Sequence, residues 1–372
     1  MPSLSDDWSM IEAQLPPDWR DLARDYEQVG HASPHLGAKL NDPAILLRLV
    51  LYHVAVGMSL KNTVGAAAAA GLIVMSAVAL HKRMCKVGTY LAVLLSRMLS
   101  LPQRFAAERW AGYRIVIVDA TTVTRPGAQG TTARVHYGLE LNQLRLVQCE
   151  VTDETGGETF RRFRAGPGEL WIGDRGYCNP PGIASLHGPD RAVLVRYNFG
   201  SLPLYDLHGN PLDVDQKLQQ LRKPQRVREW AAVIHPEQGP PIQGRLCAVR
   251  LPPDKAEQAR QRLRREYGAQ VRASALARAE FVVVFTTIPR QRMHGDKVME
   301  LYRLRWQVEL RIKRDKSITG LDKLPNFRPD TIRSWLMAKL LAQAITHKIA
   351  TTEVAFPPCG HRSAECGAAG RP

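Results

Sequence analysis

The sequence lacks any long apolar run that is free of charge. The longest uncharged segment, Val64–Leu80, is short for a membrane span and consists mostly of Ala and Gly. The more apolar segment Pro43–Leu60 contains Arg48 and His53. The N-terminus is acidic and has no apolar stretch behind a basic start, so it does not have the pattern of a secretory signal. We expect neither a membrane helix nor a signal peptide.

Closely spaced cysteines are also missing. None of the six has the C-x-x-C spacing of a redox or zinc motif. Near the C-terminus, Cys359, His361 and Cys366 lack a fourth ligand, so we do not expect a zinc site there. Scattered thiols are typical of a protein kept in a reducing compartment, and we therefore expect a cytoplasmic protein. The other cysteines are Cys85, Cys149, Cys178 and Cys247.

Acidic residues are fewer than basic ones. The 372 residues include 35 Asp and Glu against 51 Lys and Arg, a net charge of +16. Residues 221–272 and 301–350 each carry a net +7, whereas residues 1–50 carry −4. Arg outnumbers Lys in both basic segments, and its planar fork suits phosphate oxygens. Nucleic acid is therefore the first partner to consider, with solvated charged surfaces as the alternative. With 45% hydrophobic residues, a wholly disordered or fibrous chain is excluded.

Helical periodicity dominates the first part of the chain, and we expect a helical DNA-binding domain over residues 1–108. Within it, Leu60–Ala70 and a second helix that starts at the N-cap Ser76 have helix-turn-helix proportions. A plain helical hairpin fits the same pattern. In the helix-turn-helix interpretation, Lys82 and Arg83 on the second helix are candidate DNA contacts.

Short β-branched runs replace the helical pattern after residue 110 and predict a mixed α/β core. We expect strands at Tyr113–Thr121, Arg134–Leu141, Leu144–Val151, Leu170–Asp174, Arg191–Tyr197 and Phe281–Ile288, and a short helix at Pro180–His187. The predicted domains are a first core part over 109–198, a β-rich basic insertion over 199–280, a second core part over 281–353 and a disordered tail over 354–372. The second core part contains two predicted long helices, Asp296–Ile318 and Pro329–Thr351.

Two acids close predicted core strands. Asp119 ends one strand and Asp174 ends another, which is where an α/β sheet exposes functional groups. Each could simply cap the turn that follows it. Together, two carboxylates at neighbouring strand ends could bind a divalent cation.

A third acid lies on the predicted helix over 296–318. Tyr302, Arg305, Glu309 and Lys316 are spaced at i, i+3, i+7 and i+14, which places them on one face of a continuous helix. An apolar stripe lies beside this face, so the helix could pack on the sheet and present the polar row to the site. A solvated charged face is the alternative interpretation.

These residues resemble the DDE transposases of bacterial insertion sequences, in the group marked by Y-x(2)-R-x(3)-E-x(6)-K, the IS-four family. Tyr302, Arg305, Glu309 and Lys316 match all four signature positions. The resemblance extends to Asp119 in IVIVDAT, to Asp174 in GDRGY and to the long insertion before Glu309, and it covers about residues 40–350.

The resemblance implies a transposase with an RNase H-like core that cleaves DNA strands and transfers them at insertion-sequence ends. It further implies that Asp119, Asp174 and Glu309 hold two Mg²⁺ ions, with Mn²⁺ as a possible replacement. The implied partners are the terminal inverted repeats and the target, both double-stranded DNA, and a second copy of the chain in a synaptic homodimer. The implied location is the bacterial cytoplasm, at the nucleoid when DNA is bound.

The resemblance also implies DNA contacts. Arg305 and Lys316 would bind phosphates at the transposon end, with Tyr302 hydrogen-bonding there. Phe281 stands where a relative carries an aromatic residue that stacks on an extruded base, although core packing explains a Phe at this strand start equally well. Arg175, beside Asp174, is a further candidate.

Two other functions are alternatives to a transposase. A phosphatase that forms an aspartyl-phosphate would use Asp119 as nucleophile and a second acid two residues later, but that position is Thr121. A non-catalytic DNA-binding protein, or an inactive transposase remnant, is the more serious alternative. The three retained acids argue against a remnant, and the unusual tail argues for one.

Overall fold

The computed structural model describes residues 8–24, 26, 42–100, 110–224, 226–324 and 329–353. The expected disordered tail, 354–372, lies outside the described residues. By its contacts the chain divides into two compact units. The helical unit takes in residues 1–101, 142–145 and 329–372, and the sheet unit takes in residues 102–141 and 146–328.

The described helices are, in chain order, α1 (Trp8–Glu12), α2 (Trp19–Arg24), α3 (Pro43–Val56), α4 (Leu60–Ala69), α5 (Ala77–Met84), α6 (Gly88–Ser100), α7 (Pro180–Leu186), α8 (Val214–Gln219), α9 (Pro253–Tyr267), α10 (Ala273–Arg278), α11 (Gly295–Arg303), α12 (Trp306–Thr319) and α13 (Pro329–Glu353). Within the described part of the chain, none of them is long and apolar enough to cross a membrane.

Side-chain caps fix where the helices of the helical unit begin. Asp42 accepts from the Ala44 amide before α3, and Ser59 does the same for the Asn62 amide before α4. The Oγ atom of Ser76 accepts from Ala79 N at 3.1 Å, which satisfies an amide that the first turn of α5 leaves free. The expected helix pair α4–α5 is therefore present.

The last helix, α13, belongs to the helical unit, where it packs against α3 and α6. Thr331 Oγ1 lies 3.3 Å from Cys85 Sγ. A Cβ at Gly88 would lie 2.7 Å from Ser334 Oγ, so the glycine permits a close helix approach. From the sequence, this helix was expected to belong to the second part of the α/β core, over 281–353. Its buried apolar residues identify a packed face, but a sequence pattern does not tell which partner covers that face.

One mixed sheet of eight strands forms the centre of the sheet unit, in the order β3-β2-β1-β4-β5-β8-β7-β6. Pairing of β1 with β4 and of β4 with β5 is parallel, and the remaining pairings of β1, β5, β6, β7 and β8 are antiparallel. The α/β prediction is confirmed. The strands are β1 (Arg114–Val123), β2 (Ala133–Glu140), β3 (Arg145–Thr152), β4 (Glu169–Gly173), β5 (Ala192–Arg196), β6 (Arg228–Ile234), β7 (Ile242–Arg250) and β8 (Phe281–Thr286).

The three parallel strands β1, β4 and β5 are almost entirely buried, as a strand covered on both faces must be. Trp171 of β4 is fully buried and donates from Nε1 to Glu169 Oε2 at 3.0 Å. Because parallel strands end at the same edge of a sheet, residues that follow them meet there.

The predicted insertion does not form a sheet of its own. Its strands β6 and β7 continue the core sheet, since β7 pairs with β8 from Arg245–Thr286 to Arg250–Phe281. The sequence predicted a β-rich insertion over 199–280 as a subdomain apart from the core. Its proline-rich connections favour a domain boundary, but the pairing of β7 with β8 continues the core sheet into the insertion.

Candidate active site

Asp119 lies inside β1 and not at its end. Parallel pairing of β1 with β4 stops at Ile117, whereas antiparallel pairing with β2 continues to Val123. The predicted strand end was wrong because β2 extends β1 beyond the point where β4 has ended. Asp119 therefore lies two residues past the last β4 partner, and its Oδ1 accepts from Ala120 N at 2.8 Å.

The Asp119 carboxyl is mostly buried, with 16% of the side chain exposed. Burial raises its pKa to about 7, and the nearby carboxylates of Asp174 and Glu158 act in the same direction. The Ala120 amide and the Arg305 guanidinium oppose that shift. A carboxyl group buried among other acids is either protonated or has its charge compensated by a cation.

Asp174 follows β4 directly and is held by a glycine-dependent turn. Gly176 N donates to Asp174 Oδ1 at 2.8 Å. A Cβ at Gly173 would lie 2.8 Å from Cβ of Tyr177, and a Cβ at Gly176 would lie 2.2 Å from Oε2 of Glu158. Gly173 therefore lets Tyr177 pack directly against the strand end that carries Asp174, whereas a side chain at Gly176 would displace the Glu158 carboxylate.

Glu158 is an acid that the sequence analysis missed. It lies in the connection between β3 and β4 and is half-buried. Burial and the Asp174 carboxylate both raise its pKa, and Arg134 lowers it. No pattern in the polar connection marks this residue, because its role depends on the turn around Gly176.

The helix predicted over 296–318 is two helices in the structure. At the junction, Leu304 N donates to Leu301 O and Arg305 N donates to Tyr302 O, so the bonding tightens from i−4 to i−3. Tyr302 consequently lies on α11, Arg305 lies at the junction, and the rest of the motif lies on α12. Neither Gly nor Pro occurs at this point, so the sequence offered no sign of the break.

Arg305 lies between the acid of β1 and the acid of α12. Its Nη2 donates to Glu309 Oε1, and its Nη1 lies 4.0 Å from Asp119 Oδ2. The Tyr302 hydroxyl lies beside the same guanidinium, and burial raises the pKa of this tyrosine. Two turns of α12 beyond Glu309, Lys316 Nζ donates to the carbonyl oxygen of Thr122 in β1 at 3.2 Å. Tyr302, Glu309 and Asp119 thus lie around the Arg305 guanidinium, and Lys316 binds the backbone of β1.

The acids fit a hard divalent cation in their chemistry, although their present arrangement does not form a complete ligand set. Among the described residues, no three His, Cys, Asp or Glu side chains lie close enough together to hold a metal ion. The Arg305 guanidinium neutralises Asp119 and Glu309 instead. The donors are carboxylate oxygens, which Mg²⁺ and Mn²⁺ prefer. Next to them, the buried Tyr177 hydroxyl has no hydrogen-bond partner within the described residues.

Comparisons with known proteins and family models cover most of this chain. The model described as Transposase DDE domain matches residues 110–345. The transposase for insertion sequence element IS421 of Escherichia coli is 30% identical over 366 residues, covering 95% of this chain and 96% of that protein. The InsL proteins of elements IS186A and IS186B of Escherichia coli strain K12 are 30% identical over 365 residues, with the same coverage.

The chain belongs to the DDE transposase family of insertion sequences. The resemblance derived from the motif is therefore confirmed, as are the RNase H-like fold class and the assignment as a DNA-transferring enzyme. A family of this kind uses a divalent metal. Among solved structures, a piggyBac transposase synaptic complex with hairpin DNA is similar, with a TM-score of 0.45 and 9% identity over 94% of this chain and 74% of that one.

A basic cavity lies beside the acids of this transposase. Its volume is about 810 Å³, and none of the described residues that line it is acidic. Arg196, which the sequence did not single out, is partly buried; burial lowers its pKa to about 10, and its Nη2 donates to the carbonyl oxygen of Phe281. Arg196 closes a buried strand, a position that does not distinguish a functional cation from a structural one. The basic lining residues are Arg175, Arg196, Lys255, Arg262, Arg272 and Arg278.

The remaining candidate DNA contacts occupy varied positions. Arg175 is exposed at the cavity wall. Phe281 is partly buried at the start of β8, where it packs against the sheet core and lies 5.9 Å from the Arg250 guanidinium. In the helical unit, Lys82 is exposed on α5, while partial burial lowers the pKa of Arg83.

Proposed function

We propose that this transposase cleaves DNA strands at the ends of its insertion sequence and joins them to target DNA, using Asp119, Asp174 and Glu309 to hold two Mg²⁺ ions, or Mn²⁺ in their place. The observation that carries the proposal is the buried Asp119, which has other acids around it and a single guanidinium as counter-charge. A buried anionic centre of this kind, in a protein rich in phosphate-binding cations, suits phosphodiester chemistry.

The chemistry is two successive displacements at phosphorus. In the first, a water oxygen attacks the scissile phosphorus and loses a proton, and the 3′ oxygen of the transposon end leaves and gains one. In the second, that 3′-hydroxyl loses its proton as it attacks a target phosphorus and displaces the 3′ oxygen of the target strand. When bound, the cations activate the attacking oxygen and stabilise the leaving one. Asp119, Asp174 and Glu309 would position those cations.

Arg305 connects DNA binding to this centre. Its guanidinium is shared by Asp119 and Glu309, and phosphate oxygens are an equally good bidentate partner. We expect a phosphate of the transposon end to draw Arg305 from the two carboxylates, leaving them free for a cation. Tyr302 and Lys316 would contact the same strand.

The basic cavity supplies further phosphate contacts. Arg175 and Arg196 lie on its wall beside Asp174, and Phe281 starts the neighbouring strand, where it could stack on a base. Lys82 and Arg83 would bind a separate part of the duplex. The active assembly would be a homodimer on two DNA ends, in the bacterial cytoplasm where that DNA lies.

The test separates binding from cleavage, with a duplex carrying the inverted repeats that flank the reading frame. Glu309→Gln keeps the side-chain shape but removes the charge, so we expect end binding to persist while cleavage in Mg²⁺ falls at least about a hundredfold. Arg305→Ala should weaken end binding by about 1.5–3 kcal/mol. Glu300→Gln, at an exposed ion pair on α11, is the matched control and should leave both unchanged.

Each outcome decides between the candidate functions. Cleavage by Glu309→Gln at the rate of the unmodified protein would remove Glu309 from the metal site. Sequence-specific binding by the unmodified protein without any cleavage in Mg²⁺ or Mn²⁺ would instead support the non-catalytic protein or inactive remnant.

A further inference from the structure

Two large aliphatic side chains stand in solvent at the start of α5. Val74, in the connector before the helix, is 83% exposed, and Val78 in the first turn is 64% exposed. Leu80 and Met84 cover the opposite side of α5 and are fully buried. The two valines together form a small exposed apolar area at the start of this helix.

The charge around these valines selects the kind of partner. No Asp or Glu occurs between Asp42 and Glu108, whereas this stretch contains Lys61, Lys82 and Lys86. Lys82 lies one turn after Val78 and is exposed, as is Lys86 just beyond the helix end. A segment with cations and no carboxylates suits a polyanion. Two valines alone are too small an apolar area for a stable protein interface.

The major groove of DNA offers both features. It admits an α-helix, it is bordered by phosphates, and the 5-methyl group of each thymine projects into it as an apolar contact. Val78 and Lys82 are about 6 Å apart along the helix axis. That spacing allows the valine to contact a base while the lysine reaches the backbone.

We propose that Val74 and Val78 contact thymine methyl groups in the major groove and thereby help this protein to select its DNA sequence, with Lys82 and Lys86 on the flanking phosphates. This proposal rests on the proposed function only in taking the selected DNA to be the transposon end. It assigns base reading to the first turn of α5 and its connector.

The experiment measures binding without metal, so that it does not depend on cleavage. A pool of duplexes with a randomised central segment is enriched on the full chain, and each thymine of the enriched duplex is then replaced by deoxyuridine, which removes only the methyl group. We expect one or two replacements to weaken binding about fourfold each, the value of one buried methyl group.

Substitution then assigns the methyl contact to its residue. Val78→Ala should weaken binding to the thymine duplex by about the same factor and should be insensitive to deoxyuridine at one position, with Val74→Ala behaving likewise at another. Val56→Ala, a 43% exposed valine at the end of α3, is the matched control and should respond as the unmodified chain does. Lys82→Ala should weaken both duplexes equally and reduce the salt dependence.

Three results would overturn the proposal: no sequence enriched from the pool, no effect of deoxyuridine at any position, or equal deoxyuridine effects in the unmodified chain and in both valine variants. None of them bears on cleavage. Failure of the proposed function would appear instead as cleavage that survives Glu309→Gln, so the two failures are distinguishable.

Discussion

Two regions of this protein differ in their carboxylates. Within the helical unit, residues 43–100 contain no Asp or Glu, and α5 carries the cations Lys82 and Arg83. In the sheet unit, Asp119, Asp174 and Glu158 lie near one another in spite of their mutual repulsion. In the function proposed above, base reading by the helical unit and cleavage by the sheet unit depend on separate residues, whereas Arg305 serves both binding and cleavage.

The largest expected effect on stability concerns the sheet that positions the acids. Trp171 is fully buried in β4, three residues before Asp174, so Trp171→Ala should lower the free energy of unfolding by about 3–5 kcal/mol. Urea denaturation followed by circular dichroism measures this change. The matched control is Trp306→Ala, at a tryptophan that is 48% exposed, where about 0.5 kcal/mol or less is expected. Equal losses in the two variants would show that the strand is not tightly packed.

The second effect tests whether ionised Asp119 lowers the free energy of unfolding at neutral pH. Because the pKa of folded Asp119 is raised to about 7, the folded state binds this proton more tightly than the unfolded state. The contribution of Asp119 to stability is therefore greatest below about pH 4 and is lost as the pH rises to about 7. Relative to Asp119→Asn, the unmodified protein should lose on the order of 3 kcal/mol between pH 4 and pH 8.

The stability of the unmodified protein has to be compared with that of Asp119→Asn because two histidines also depend on pH. Burial lowers the pKa of His53 and His136 to about 4, so their contribution to stability changes with pH in the opposite direction to that of Asp119. Those histidines are present in both proteins and cancel in the comparison. Parallel stability curves for the two proteins, measured without divalent metal, would contradict the raised pKa of Asp119.

The smallest effect concerns the helical unit. Ser76 caps α5 by accepting from Ala79 N, so Ser76→Ala should cost about 1 kcal/mol of stability. Ser76→Asp should restore the cap but place a carboxylate in the stretch that has none. We therefore expect Ser76→Asp to be as stable as the unmodified protein in thermal unfolding and to bind duplex DNA more weakly. Unchanged DNA binding by Ser76→Asp would place the DNA surface elsewhere.

The sequence predicted most of the elements and the family, because strand and helix periods and the motif spacing are local properties. The hairpin β2–β3, the strand before Asp174 and the cap at Ser76 all follow from residues close in the chain. The residues Tyr302, Arg305, Glu309 and Lys316 were found because their spacing is fixed along one segment.

What the sequence missed depends on contacts between distant segments. The extension of β1 beyond Asp119 comes from pairing with β2, and the placement of α13 comes from packing against α3 and α6. Glu158 reaches the acids only through the turn at Gly176, and Arg196 becomes notable only beside the cavity. The break at Leu304 has no local signal at all.

The most direct test of the central claim is to locate Mn²⁺ by anomalous X-ray scattering in crystals of the protein bound to a cleaved transposon-end duplex. The account predicts two peaks about 4 Å apart, contacted by Asp119, Asp174 and Glu309, with Arg305 moved from Glu309 to a phosphate. Mn²⁺ bound elsewhere, or an Arg305–Glu309 pair that persists with DNA in place, would contradict it.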